Sequence, residues 1–374
     1  MNILFFTCWY PNKFDSNNGI FIREHAKCIK NAGLHIVVFA VISVKSNCIF
    51  KKETEIFIDK NGIETHILYL KSKFYKWIYV NIPVQYHFTY KYYKQNIATN
   101  FLPDIIHSNI IYPTGIIGNS ISKRIAKPHI ITEHWSKLSK FFNTSIFKYS
   151  GKKAYNNAKR ITVVSDFLMN NVKLFTSNRN IIKIPNVLNE SFIYSHKTSN
   201  EDSIYFCAMA TWKYPKLPFL IMDALQLVQT QISKKIILNL IGEGPLLNEM
   251  KKRKGLCNFQ INFLGHLDRT KACKELQKAD YFLHASAIET FSLVITEALA
   301  TGTPVMASNV GAIPELINET NGVLCENTIN DWVLKINSAI NTNYNNEQIS
   351  KNAISLFSQN KVSSMFEKLY FDSN

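Results

Sequence analysis

Short apolar runs alternate with amphipathic stretches along most of the chain. Residues 2–8 read as a buried strand. A polar loop with Pro11, Asp15, Asn17, Asn18 and Gly19 follows, and residues 20–31 repeat apolar side chains at helical spacing through Phe21, His25, Cys28 and Ile29. Gly33 stops that helix, and residues 34–44 give a second strand. The same rhythm predicts strands at 104–107, 129–132, 160–164 and 181–184, with a helix rich in small residues at 113–122. Ser165-Asp166 and Pro185-Asn186 read as turn and cap residues after two of these strands. A second series gives strands at 203–208, 236–241, 261–264, 281–284, 304–307 and near Val323, with two helical stretches after it. Strands that alternate with helices predict parallel sheets covered by helices, an α/β protein. At 374 residues the chain suits two such cores. Residues 189–202 are polar and weakly patterned, which predicts a linker between domains over 1–190 and 203–355.

The most informative stretch is 279–314, a strand–loop–helix–strand unit. In an open α/β sheet, ligands bind outside the carboxyl ends of the strands, against helix N-termini. The loop Ser286 to Ser292 therefore overlies free backbone N–H groups suited to a phosphate. Glu289 lies in that loop, and Glu297 lies eight residues on, inside the helix of residues 293–300. A carboxylate accepts two parallel hydrogen bonds and so matches the vicinal diol of a sugar or ribose. Solvated helix carboxylates would be the plain alternative.

The ordered pieces Ser286, Glu289-Thr290-Phe291-Ser292-Leu293, Glu297-Ala298-Leu299-Ala300, Gly302-Thr303-Pro304-Val305 and Gly311 resemble the signature of glycosyltransferase family 4. These are retaining nucleotide-sugar enzymes of the GT-B fold, glycosyl transferases group 1. The resemblance implies two doubly wound, Rossmann-like domains facing across a cleft, the first for the acceptor and the second for the donor. It also implies a final helix, within residues 356–374, that crosses back to the first domain. By resemblance, Glu289 faces the transferred sugar, Glu297 holds the ribose, and the backbone around Thr290, Phe291, Ser292 and Leu293 seats the diphosphate. Ser292 departs from the glycine that many members carry. Lys216 resembles the lysine that meets the donor diphosphate. An arginine usual a few residues earlier is missing, with Ala210 and Thr211 in its place, and Lys213 is the candidate substitute. Glu243, in the turn Gly242-Glu243-Gly244-Pro245, resembles the turn near the nucleotide base. Gly19 resembles the glycine facing diphosphate and acceptor, and His134, in Pro128-His129-Ile130-Ile131-Thr132-Glu133-His134-Trp135-Ser136, resembles the histidine that contacts the transferred sugar. The implied reaction moves a hexose-type sugar from a UDP- or GDP-sugar, with no further cofactor and no metal. No Asp-x-Asp motif occurs in the chain.

Charge adds a second theme. Residues 1–200 hold 27 Lys and Arg against 10 Asp and Glu, whereas residues 201–374 hold 16 against 17. The basic excess of the first half points to a polyanionic partner. Residues 69–97 and 137–153 interleave aromatics with lysines. In 69–97 that pattern suits a membrane interface or a lipid-linked saccharide acceptor, single-stranded nucleic acid, or helices with aromatics in the core, and 137–153 could continue the acceptor or membrane face. The absence of recognised nucleic-acid motifs argues against nucleic acid. Seven scattered cysteines without a CxxC pair, no signal peptide and no apolar run near ~20 residues predict a cytoplasmic protein, peripheral on the inner membrane face. Bacterial capsule, exopolysaccharide or lipopolysaccharide assembly is the expected setting. A GT-B-fold nucleotide-sugar isomerase or epimerase is the rival reading, and a basic nucleic-acid-binding protein is the more distant one.

Overall fold

The structure, a computed structural model, describes residues 1–197 and 201–371. The chain divides into two compact units, one comprising Met1–Val187 with the segment from Val362 on, the other Leu188–Lys361. Residues 198–200 of the expected linker and 372–374 of the expected terminal helix lie outside the described residues.

The first unit is built on β1 (Asn2–Thr7), β2 (His35–Lys45), β3 (Lys51–Ile58), β4 (Glu64–Ser72), β5 (Ile105–Asn109), β6 (His129–Glu133), β7 (Arg160–Val163) and β8 (Ile181–Lys183). Their order is β3-β4-β2-β1-β5-β6-β7-β8, parallel except for β3 against β4. Its helices are α1 (Ile20–Asn31), α2 (Tyr75–Val80), α3 (Ile82–Tyr92), α4 (Ile116–Ile125), α5 (Leu138–Thr144), α6 (Lys148–Asn157) and α7 (Asp166–Lys173). β5 and β6 are buried along their whole length, as parallel strands covered on both faces must be. The helix expected from residue 113 starts at Ile116, after an irregular turn.

The β3–β4 hairpin is absent from the sequence reading. β3, Lys-Lys-Glu-Thr-Glu-Ile-Phe-Ile, is an edge strand whose charged residues leave no apolar run to detect. Its turn is pinned by the Asp59 carboxylate, which accepts the N–H groups of Asn61 at 2.8 Å and Ile63 at 3.0 Å. The aromatic segment 69–97 is only partly core. Tyr92 and Tyr93 are in the core, while Phe74 and Trp77 are more than half exposed.

The second unit contains β9 (Ser203–Met209), β10 (Lys235–Ile241), β11 (Gln260–Gly265), β12 (Tyr281–His284), β13 (Val305–Ser308) and β14 (Gly322–Cys325), ordered β11-β10-β9-β12-β13-β14 and all parallel. Its helices are α8 (Pro218–Gln229), α9 (Leu247–Lys254), α10 (Arg269–Lys278), α11 (Leu293–Ala300), α12 (Ile329–Ile340) and α13 (Asn346–Phe357). The described part of 189–202 packs on this unit rather than spanning open space. Phe192 is buried, Tyr194 lies against Gly302, and the Ile193 carbonyl accepts a hydrogen bond from Gln277 at 2.8 Å.

The final helix is shorter than the expected 356–371. Ser358 is extended, at φ −60° and ψ 155°, and separates α13 from α14 (Gln359–Phe371). After this break Val362, Phe366, Leu369 and Tyr370 enter the core of the first unit, and the Tyr370 hydroxyl hydrogen-bonds His107. No helix of the described residues is long and apolar enough to cross a membrane.

Strand order reverses once in each unit, between β1 and β5 and between β9 and β12. Loops leaving two strands in opposite directions open a crevice at their carboxyl ends. In the second unit those loops are 210–217 and 285–292, which carry Lys216 and Glu289.

Candidate active site

The two loops are tied together by their backbones. The Leu217 N–H donates to the Ala285 carbonyl at 3.0 Å, and the Ala287 N–H donates to the Pro215 carbonyl at 2.9 Å. Ser286 is fully buried in this seam. Its N–H donates to Ser308 Oγ at 3.0 Å, Ser308 donates to Asn327 at 2.6 Å, and Asn327 returns a hydrogen bond to the Ser286 carbonyl at 3.0 Å. Ser286 thus braces the loop, and its polar groups are engaged within the protein. Gly311 braces the other side. At φ 57° it lets the chain pass so close to the Glu289 carbonyl that a Cβ would sit 2.0 Å from that oxygen. The adjacent Ala312 N–H donates to the same carbonyl at 3.0 Å.

This bracing brings Lys216 and Glu289 together. The ammonium forms an ion pair with Glu289 Oε1, and both side chains are mostly shielded, at 19% and 14% exposure. His284, the last residue of β12, places Nε2 2.9 Å from the same oxygen and 3.2 Å from Lys216 Nζ. Ser292 Oγ approaches that nitrogen at 3.4 Å. One imidazole nitrogen donates or accepts but does not do both. Protonated at Nε2, His284 donates to Glu289 and merely borders Lys216. Burial opposes ionisation of Glu289, yet the hydrogen bond from His284 and the Lys216 charge outweigh it and hold the carboxyl below its ordinary range. Burial and the nearby Lys216 charge keep His284 below the usual imidazole pKa, against the pull of Glu289. The cluster is therefore a cation and an anion with a neutral histidine between them near neutral pH.

Sequence reasoning selected Lys216, Glu289 and Ser292 but not His284. The signal was present, since the rule that singled out His134, a histidine at the carboxyl end of a buried strand, applies equally to His284.

α11 starts directly after Ser292, and no side chain caps it. Its first-turn N–H groups, beginning at Leu293, face the loop without intrahelical partners. Phe291 is buried against Phe357, and Thr290 is partly buried between Glu289 and Phe291. Glu297 lies one turn further along α11. Its carboxyl is set in a recess that pushes its pKa up to about 8 by desolvation, with Arg269 opposing; part of the side chain still meets solvent, which limits the effect. Lys213 and Glu243 are exposed, and their loops meet through the Trp212 N–H, which donates to the Glu243 carbonyl at 2.8 Å. The structure places Lys213 in the same turn as Lys216 but leaves its side chain in solvent.

Gly19 and His134 belong to the first unit. Gly19 caps α1 at φ 66°, where a Cβ would meet the Trp9 carbonyl oxygen at 2.4 Å. Its identity is thus required by packing alone. His134 is buried, with its ring 4.8 Å from Phe21 and 5.3 Å from His25. Burial and the neighbouring His25 and His107 hold it neutral.

Two outcomes test this arrangement. Burial pushes the folded Glu297 carboxyl from the ordinary 4.5 up towards about 8, so the fold loses stability as pH rises through that window. The melting temperature of Glu297→Gln should therefore gain on the wild type between about pH 5 and about pH 8.5, and a constant difference would remove the buried charge from the account. A hydrogen bond to a charged group contributes about 1.5–3 kcal/mol, so His284→Leu should lower kcat/KM of the reaction this site carries about 10- to 100-fold. His284→Gln should regain much of that loss, and unchanged transfer by the leucine variant would show that His284 does not position Glu289.

Comparison with known proteins follows the division of the chain. Residues 20–192 match the family model described as Glycosyltransferase Family 4, and residues 191–356 match the model described as Glycosyl transferases group 1. An uncharacterized glycosyltransferase of Methanocaldococcus jannaschii is 28% identical over 304 residues, covering 77% of this chain and 82% of that protein. The lipopolysaccharide outer core galactosyltransferase WaaB in its apo form superposes with a TM-score of 0.76 at 15% identity, covering 100% of both chains. HepE of Anabaena in complex with UDP superposes with a TM-score of 0.75 at 16% identity, again covering 100% of both chains. The structural matches establish the GT-B fold, the two family models together span most of the sequence, and the chain belongs to the group 1, family 4 glycosyltransferases.

Proposed function

We propose that the protein transfers a hexose-type sugar from a nucleotide-diphosphate sugar to a hydroxyl of a lipid-linked saccharide, with retention at the anomeric carbon. The observation that carries this reading is the Lys216–Glu289 pair beside the uncapped start of α11. A diphosphate brings more negative charge than one carboxylate and competes with Glu289 for the Lys216 ammonium. The ammonium then stabilises the charge that develops on the departing nucleotide, aided by the N–H groups from Phe291 to Leu293. Glu289, released from Lys216 but still oriented by His284, accepts hydrogen bonds from hydroxyls of the transferred sugar. Glu297 accepts the ribose diol, which calls for its ionised form. His134, in the first unit, is the candidate contact for the transferred sugar, and Gly19 the close backbone approach to donor and acceptor. Lys213 stands ready as a second cation, and Glu243 borders the base.

In this scheme the bond from the anomeric carbon to the diphosphate oxygen breaks while the bond to the acceptor oxygen forms on the same face. The acceptor proton passes to the departing diphosphate. The protein supplies position and charge stabilisation, and the scheme uses neither a metal nor a protein nucleophile. UDP and GDP sugars are the candidate donors; HepE, solved with UDP, and WaaB, a lipopolysaccharide outer core galactosyltransferase, favour a UDP-sugar and a role in surface polysaccharide assembly, with the inner membrane face as the proposed location.

Thermal shift against UDP-, GDP- and ADP-sugars identifies the donor, since a ligand of the folded state raises apparent stability. With that donor, Lys216→Ala should lower kcat at least ~10²-fold. A near-normal rate would remove Lys216 from the mechanism. Complete conversion of the donor without any acceptor would favour the isomerase reading instead.

A further inference from the structure

The first unit contains a feature that donor chemistry does not use. At the carboxyl ends of β5 and β6 an aromatic cavity of about 410 Å³ opens between α2 and α5. Tyr112 is its centre. The Tyr112 ring lies 5.6 Å from Tyr79, 5.1 Å from Phe141, 6.2 Å from Phe147 and 6.4 Å from Trp135, centre to centre. The volume is within the range of small-molecule sites.

The walls are held from beneath by Glu133, which is fully buried. Glu133 Oε2 accepts the Ile111 N–H at 2.9 Å and the Tyr155 hydroxyl at 2.7 Å, while Oε1 accepts the N–H groups of His134 and Trp135, each at 3.2 Å. One carboxyl thus fixes both the 110–112 turn and the 133–135 turn. Ile110 sits at φ 60°, a conformation that a β-branched residue adopts only where its surroundings impose it. The cavity is therefore a built feature of the unit and not slack between surface side chains.

Its mouth is amphiphilic. Ile146 is 87% exposed and Val80 51% exposed, so the apolar lining continues outward to solvent. Lys137 and Lys140 line the same cavity and are exposed. Between residues 71 and 153 there are thirteen Lys and Arg but only two acids, Asp104 and Glu133, and Glu133 is the buried brace. An occupant needs hydrocarbon to fill the aromatic interior and a negative charge to meet the lysines.

We propose that this cavity is the seat of a phosphorylated isoprenoid-like chain, the lipid end of the acceptor. The hydrocarbon segment next to the phosphate lies among Tyr79, Tyr112, Phe141 and Phe147, and Lys137 and Lys140 take the phosphate. The proposal rests on the reading of the protein as a transferase with a lipid-linked acceptor, and adds where the lipid binds and which group on it is recognised.

The test is calorimetric titration of the full chain with farnesyl phosphate, farnesol and inorganic phosphate, alongside sedimentation with vesicles of phosphatidylglycerol or phosphatidylcholine. Farnesyl phosphate should bind at least about tenfold more tightly than either fragment, because both the apolar and the charged contacts contribute. Lys137→Ala/Lys140→Ala should remove about that advantage over farnesol, and Phe147→Glu should abolish binding of both farnesyl compounds. Each variant is first checked for a wild-type circular-dichroism spectrum and an unshifted thermal melt of the full chain, which keeps misfolding of the first unit apart from loss of the cavity. Equal affinity for farnesol and farnesyl phosphate, or binding unaffected by Phe147→Glu, would overturn the proposal. So would sedimentation with anionic vesicles without any binding of soluble farnesyl phosphate, which would make this face a membrane dock. Failure of every sugar nucleotide to bind the wild type would instead count against the transferase reading itself.

Discussion

A parallel sheet has all its strand ends of one kind along one edge, and only a reversal of strand order separates two outgoing loops enough to admit a ligand. The reversal between β9 and β12 is the constraint on which the second unit depends. It sets the 210–217 loop beside the 285–292 loop, and backbone hydrogen bonds between Leu217 and Ala285 and between Ala287 and Pro215 fix their register. Lys216 and Glu289 meet as a consequence. Shielding an ion pair from water is expensive, and apolar side chains of similar volume would often serve stability as well. The pair makes functional sense as a cation held in position with its charge provisionally cancelled. In the proposed reading a polyanionic ligand is the stronger partner, and the geometry that is costly in the free protein would then favour capture of a diphosphate. His284 fits this account because it keeps Glu289 oriented and ionised when Lys216 turns to a ligand.

The first unit is organised around a different buried carboxyl. Four donors converge on Glu133, yet burial still pushes its pKa up to about 7. Its work is to hold two turns at the ends of β5 and β6, and these turns present Tyr112 and Trp135 to one aromatic cavity. α14 completes this unit from the far end of the sequence, with Phe366 and Tyr370 buried and Tyr370 bonded to His107. The polar and basic surface lies outside that core, and so the charge asymmetry of the sequence becomes a property of one unit.

Much of this was legible in the sequence because it follows from local pattern. Buried parallel strands are short apolar runs, and helices that pack on them keep a 3.6-residue spacing, so most strands and the strand–loop–helix–strand around Glu289 were visible. Lys216 and Glu289, 73 residues apart, were each singled out by motif, and the structure brings them to one oxygen atom. The remainder depended on tertiary context. β3 is an edge strand that holds Lys51, Lys52, Glu53 and Glu55, so it lacks the hydrophobic signal of an inner strand. The break at Ser358 occurs without glycine or proline, so no residue type announces it. Segment 189–197 is polar overall, but Phe192 and Tyr194 attach it to the second unit, and two side chains in a weak pattern do not announce a contact. His284 ends its apolar run as His134 follows its own, and the rule that marks His134 marks it too, although the run by itself suggests only a strand.

The most direct examination of the central claim is a crystal structure with UDP, or with whichever nucleotide stabilises the protein. The account predicts a diphosphate within hydrogen-bond distance of Lys216 Nζ and the N–H groups at the start of α11, with the Lys216–Glu289 contact opened and Glu289 still held by His284. A diphosphate bound elsewhere, or seated there with the ion pair intact, would contradict it.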